Sequence, residues 1–256
     1  MNDPVVDKIK TRYGEFLPCS DASDLRKKYR CTVDHHKNGN LKSIYLQDPE
    51  TISLPEGDFQ AELMTFYEDG SIKRVFPLYG QLSAYWSLED EQQGAPYYDF
   101  RVEGEVLRIR PHCLFFYPSG KLRSITLWPN DKITVRTSAG PVETKLGVEF
   151  YENGRIRSIE PVIGATVKTP WGDVSPYIYR PVMFHAENSS MTFDEDGRLS
   201  GFSTIRNGVE ADGIVYRPGG YMQPLTVRLD GDTLHITGHV TKDIRVDSLT
   251  AKVRFL

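Results

Sequence analysis

One ten-residue phrase recurs along this chain and constrains its fold more than any other feature. F-Y-E-D-G-S-I-K-R-V starts at Phe66, F-Y-P-S-G-K-L-R-S-I at Phe116 and F-Y-E-N-G-R-I-R-S-I at Phe150, with weaker copies H-H-K-N-G-N-L-K-S-I from His35 and F-D-E-D-G-R-L-S-G-F from Phe193. The in-register glycines are Gly39, Gly70, Gly120, Gly154 and Gly197, each preceded by Asn, Asp or Ser. Asn-Gly and Asp-Gly accept positive φ cheaply, and β-formers flank them on both sides, so each copy predicts a β-hairpin. With a two-residue turn, Tyr67 would pair with Ile72 on one face, and Phe66 and Val75 would fall on the other. Both faces of the sheet would then need cover.

A second phrase alternates with the first. T-I-S-L-P-E-G-D-F runs from Thr51, I-T-V-R-T-S-A-G-P-V from Ile133 and T-V-K-T-P-W-G-D-V from Thr166. Each is a β-branched strand, a Pro- or Ser-containing turn with Gly, and an apolar residue, so the repeating unit reads as two antiparallel hairpins. The expected fold class is all-β: repeated antiparallel β-hairpins in an elongated or rolled meander sheet, solenoid-like or two-layer. Three regions are expected: an N-terminal lead-in over 1–30, a hairpin repeat region over 31–205 with insertions at 76–111 and 173–190, and C-terminal strands over 206–256 that pack on or cap the repeats. The run Glu89-Asp90-Glu91 reads as a solvated acidic loop.

The F-Y-E-N-G-R-I-R-S-I phrase resembles the repeats of bacterial proteins with MORN-variant repeats, which carry serial Y-x-N-G-x-L-x-S hairpins and include antitoxin-like members. The resemblance covers five copies between residues 33 and 205, at glycine-to-glycine steps of 31, 50, 34 and 43 residues, longer and less regular than a MORN array. It implies a repetitive β architecture used for binding or scaffolding, and it brings no catalytic residues.

Composition narrows the function classes. The 256 residues carry a formal net charge of -4, which gives no global pull toward nucleic acid or an anionic membrane. No apolar run approaches the ~20 residues of a membrane helix, and the start M-N-D-P-V-V-D-K-I-K-T-R-Y has no apolar core, so neither a span nor a secretory signal is expected. Three cysteines, Cys19, Cys31 and Cys113, fit a reducing cytoplasm better than a disulfide framework.

Three sets of residues are candidates for chemistry. Lys42, Lys73, Arg123 and Arg157 each sit three residues after a turn glycine and could form a basic ladder for an acidic partner; the ordinary reading lays their stems on the sheet with the heads in water. Cys31, His35, His112 and Cys113 are ligand types, and Cys31 and His112 share a repeat position. No metal-ligand spacing is present, so no metal and no cofactor are expected. Tyr85, Trp86, Tyr97, Tyr98 and Trp171 lie in or beside insertions and could form a ligand-binding surface, most plausibly in the 84–100 insertion; core packing is the alternative. Enzyme signatures are missing: there is no G-x-S-x-G, P-loop, G-x-G-x-x-G or H-E-x-x-H. The expectation is a non-enzymatic cytoplasmic binding or scaffold protein with a protein partner, self-association being left open. The alternative is a carbohydrate- or small-molecule-binding protein or enzyme acting through the aromatics of 84–100.

Overall fold

The computed structural model describes residues 7–20, 32–78, 87–169, 172–178, 185–211, 213–238, 242–245 and 253–256. The chain divides into two units: Met1–Phe100 with Arg108–Trp128, and Arg101–Leu107 with Pro129–Leu256. Among the described residues no helix is long and apolar enough to cross a membrane. The fold is all-β and antiparallel, with one short helix, as the repeats require.

Chain order in the first unit is β1 (Ile9–Thr11), β2 (Gly14–Phe16), β3 (Val33–His35), β4 (Leu41–Leu54), β5 (Gly57–Phe66), β6 (Ile72–Phe76), α1 (Leu88–Gly94), β7 (Tyr98–Val102), β8 (Glu105–Ile109), β9 (Pro111–Phe116) and β10 (Leu122–Leu127). The tip of the β7–β8 hairpin falls in the second unit. The sheet order is β3-β4-β5-β6-β9-β10, so β6 pairs directly with β9 and the 76–111 insertion is looped off the sheet. The acidic stretch is not a loop but helix α1. Ser87 accepts from the Asp90 amide, and the Asp90 carboxylate accepts from the Ser87 amide, a capping box with three acidic residues in the first turn. Glu91 is buried.

The second unit holds β11 (Ile133–Thr137), β12 (Gly140–Phe150), β13 (Ile156–Pro161), β14 (Val167–Thr169), β15 (Gly172–Val174), β16 (Met191–Phe193), β17 (Leu199–Thr204), β18 (Val209–Ala211), β19 (Ile214–Tyr216), β20 (Leu225–Asp230), β21 (Thr233–Thr237), β22 (Lys242–Arg245) and β23 (Val253–Phe255). Here β12-β13-β16-β17-β20-β21-β22 form a meander, with β11 paired to β12. The β14–β15 hairpin and the β18–β19–β23 sheet stand off it.

The repeat turns correct the expected register. Each is a three-residue loop. Gly70 N–H donates to the Tyr67 carbonyl at 3.0 Å and Tyr67 N–H to the Ser71 carbonyl at 2.8 Å, and the other four turns repeat this pair of bonds. Only the glycine takes positive φ, between +80° and +87°. Asn and Asp act instead through their side chains: Asn38 and Asn153 Oδ1 accept from the amides two residues on, as does Asp69 Oδ1 from Ser71. Phe66 therefore pairs with Ile72, and a bulge leaves Lys73 unpaired before Thr65 meets Arg74. The same bulge falls at Lys42, Arg123, Arg157 and Ser200.

Neighbouring turns are stapled by their own repeat residues. Tyr67 Oη donates to the Phe116 carbonyl at 2.9 Å and Tyr151 Oη to the Phe193 carbonyl at 2.8 Å. His36 Nε2 lies 3.0 Å from the Phe66 carbonyl in the same position. Asn38 and Asn153 Nδ2 donate to the Glu68 and Glu195 carbonyls.

The second phrase builds side hairpins. Three side-hairpin turns have Thr-x-x-Gly chemistry, Thr11, Thr137 and Thr169 Oγ1 donating to the carbonyls of Gly14, Gly140 and Gly172, whereas the β4–β5 turn has Leu54 in that position. The N-terminal stretch is one of these, a copy that the sequence reading passed over. Side-hairpin tips lie on repeat turns within the same unit. Tyr13 Oη accepts from the Ile72 amide at 2.9 Å, Glu103 Oε1 from Ile156 at 3.2 Å and Ser138 Oγ from Leu199 at 3.0 Å. Pro55 sits beside Gly120.

Both faces of the first unit's sheet are covered, since Leu114, Phe115 and Phe116 are all buried. One face packs Phe116 on Phe59, which stacks on Phe100 and meets Tyr98 edge-on. Cys19, Tyr45, Leu63, Phe76 and Cys113 form another cluster.

Two outcomes follow from the turns. Gly154→Ala meets no neighbouring atom, so its whole cost is the positive φ; urea unfolding is expected to show a loss of about 1–2 kcal/mol. Tyr151→Phe removes the staple to Phe193 and is expected to lower stability by about 1 kcal/mol in the same assay; an unchanged midpoint would show that this bond contributes nothing.

Candidate functional site

The second unit carries a groove of about 840 Å³ walled by hairpin ends. Ser138 and Ala139 come from the β11–β12 tip, Tyr151 and Asp194 from repeat turns, Lys168 and Thr169 from the end of β14, and Arg228 to Gly231 from the end of β20. Each wall is fixed by its own turn. The D-E-D-G turn is closed by Asp194 Oδ1, which accepts from the amides of Asp196 and Arg198. The β20–β21 turn is a two-residue one: Asp230 pairs with Thr233, and Gly231 takes φ +54°.

The charges in this groove are unequally used. The Asp194 carboxylate is engaged by the two turn amides. Arg198 Nη1 meets Asp196 at 3.1 Å, an exposed pair. The side chains of Lys168, Arg228 and Asp230 have no hydrogen-bond or ion-pair partner among the described residues. A second cavity of about 330 Å³ adjoins through Ser138 and Arg198. Its arginines are paired: Arg136 with Glu105 at 2.6 Å and Arg155 with Glu103 at 3.7 Å.

Beneath the meander of this unit lies a buried carboxylate network. Glu149 Oε2 accepts from Ser158 Oγ at 2.8 Å and from the Asn188 amide at 2.9 Å. Glu160 Oε1 accepts from the Ile178 amide at 3.2 Å and Oε2 from the Ser190 amide at 2.7 Å. Both glutamates are essentially inaccessible. Burial pushes the Glu160 carboxyl above its ordinary range, against the opposing pull of its amide bonds and of Lys145. These contacts hold residues 178 and 188–190 to β12 and β13. Leu146, with φ +63°, marks a bulge between Lys145 and Val148 in the same strand.

The residues singled out from the sequence fall in several places. Lys42, Lys73, Arg123 and Arg157 are the bulge residues, and each meets a group of its own hairpin. Lys42 Nζ pairs with Asp34 at 2.7 Å; Lys73 lies over Tyr67, Arg123 over Phe115 and Tyr117, and Arg157 over Tyr151. Tyr97 is half exposed, with Arg108 and Arg110 against its ring at 5.5 and 5.1 Å. Tyr98 Oη accepts from the Gln60 amide and its ring packs on Phe59. Tyr85, Trp86, Trp171 and Cys31 lie outside the described residues. His112 packs edge-on against Trp128 and Phe76, and Cys113 is in the Cys19 cluster. His35 is at the exposed end of β3. Among the described residues no three of His, Cys, Asp or Glu converge as metal ligands.

Sequence reasoning missed Glu149, Glu160, Lys168 and Arg228. A signal for the glutamates was present. Six residues past the turn glycine, the copies read Tyr45, Phe76, Thr126, Glu160 and Ser203, so one copy places a carboxyl where others place an aromatic ring. No family model matches the chain, and no curated protein or solved structure matches it.

The sign of the Glu160 effect can be measured. Folding favours its protonated form, so its contribution is full below the ordinary carboxyl value of 4.5 and is lost as pH rises through the raised value. Urea unfolding across about pH 4 to 8 is expected to show wild-type stability falling relative to Glu160→Gln as pH rises. Parallel curves for the two proteins would refute the assignment.

Proposed function

We propose that the chain is a non-enzymatic binding protein of the cytoplasm, a stacked-hairpin scaffold of the MORN-variant kind, which holds a protein partner in the groove of its second unit. One observation carries this reading: the staple tyrosines Tyr67 and Tyr151 and the bulge cations of the repeat phrase are engaged within the fold, whereas the exposed Lys168, Arg228 and Asp230 that line the groove have no partner among the described residues. The groove's volume suits a site for a ligand or a short segment, and its walls are fixed before binding, which lowers the ordering cost. Cys19 and Cys113 are buried free thiols, in keeping with a reducing compartment.

The test is affinity capture from a native lysate with the full chain and with Arg198→Glu/Arg228→Glu, both analysed by mass spectrometry. Specific proteins retained by the wild type and lost from the double variant, at unchanged circular dichroism and melting temperature, are the expected result. Identical recovery by both proteins would exclude the groove as the site.

A further inference from the structure

We propose that the groove takes an acidic segment of the protein partner, with carboxylate side chains seated on Lys168 and Arg228. The proposal rests on the binding reading above and names the chemistry of its partner. The groove's lining carries three cations, Lys168, Arg198 and Arg228, against two carboxylates, Asp194 and Asp230, so its side chains sum to +1 although the whole chain is acidic. An acidic segment supplies the complement, and complementary charge raises both association rate and selectivity.

The placement of the cations favours a peptide over a compact anion. Lys168 stands on β14 and Arg228 on β20, two different walls of a groove of about 840 Å³. A free phosphate would call for donors converging on one point, whereas an extended chain carries several carboxylates to separate walls. Tyr151 lines the same groove, with its hydroxyl tied to the Phe193 carbonyl. Asp230 sits at the β20 end and repels carboxylates there, which disfavours uniform acidity along the whole segment.

The probe is a fluorescein-labelled hexaglutamate peptide, titrated with the full chain and read by fluorescence anisotropy. Binding is expected at low ionic strength and is expected to weaken steeply toward about 0.3 M salt, as exposed charges become screened. Lys168→Glu/Arg228→Glu is expected to weaken it about tenfold or more, Asp230→Asn to tighten it, and Lys42→Glu in the first unit to leave it unchanged. The varied side chains are exposed, so each variant is expected to fold, which circular dichroism checks.

Four results would overturn the proposal: no binding of hexaglutamate, hexaglutamine binding as well as hexaglutamate, equal losses in the Lys42→Glu and Lys168→Glu/Arg228→Glu proteins, or full displacement by millimolar inorganic phosphate, which would assign the groove to a small anion. The two readings fail differently. Groove-dependent capture of a partner without hexaglutamate binding leaves the binding function standing and removes the acidic class; hexaglutamate binding with no captured partner does the opposite.

Discussion

The architecture leans on one hydrogen-bonding requirement, the backbone amide two residues beyond the turn glycine at three of the five repeat turns. A three-residue loop followed by a bulge turns this amide away from the paired strand. A buried amide without an acceptor costs about 1–3 kcal/mol. Ile72, Ile156 and Leu199 find their acceptors on other hairpins, at Tyr13, Glu103 and Ser138. The repeat turn and the side hairpin are thus one device. At these three turns the end of a meander hairpin carries the tip of a side hairpin.

The cover beneath the sheets is built from different chemistry in the two units. In the first, Cys19, Tyr45, Leu63, Phe76 and Cys113 bury an apolar surface. In the second, Glu149 and Glu160 occupy the strands, and the segment above them is held by its own backbone amides. An apolar cover gains from area and tolerates small slips. A carboxylate cover specifies which amide goes where, and it loses heavily if either partner is removed. The 173–190 excursion is accordingly fixed at its two described ends by residues of the repeat strands.

Much of this fold was legible in the sequence. Period, turn glycines and β-branched flanks predicted antiparallel hairpins in meander order, and both sheet faces were expected to be covered. The register was not legible, because N-G and D-G suit both a two-residue turn and the three-residue loop that forms. The choice rests on Asn and Asp side chains accepting from amides two residues on, which leaves positive φ to glycine alone. The first side hairpin was missed because Thr11-Arg12-Tyr13-Gly14 lies in a polar stretch with little strand character, and its Thr-x-x-Gly chemistry shows only beside the later copies. Helix α1 was not legible because three consecutive acidic residues suit a solvated loop as well as a capped first turn. Lys168 and Arg228 could not be singled out, since a cation on a strand is ordinary until its neighbours are known to lack a carboxylate for it.

The groove forms where the pairing of phrases changes. The β20–β21 hairpin ends in a two-residue turn at Gly231, without the bulge that marks the five repeat turns. No outward amide calls for an acceptor there, so this turn does not need the acceptor that Tyr13, Glu103 and Ser138 supply elsewhere. Lys168 and Thr169 of β14 border open space with Arg228 and Asp230. The groove thus opens beside a turn that lacks the bulge and its outward amide, and the exposed Lys168, Arg228 and Asp230 line it.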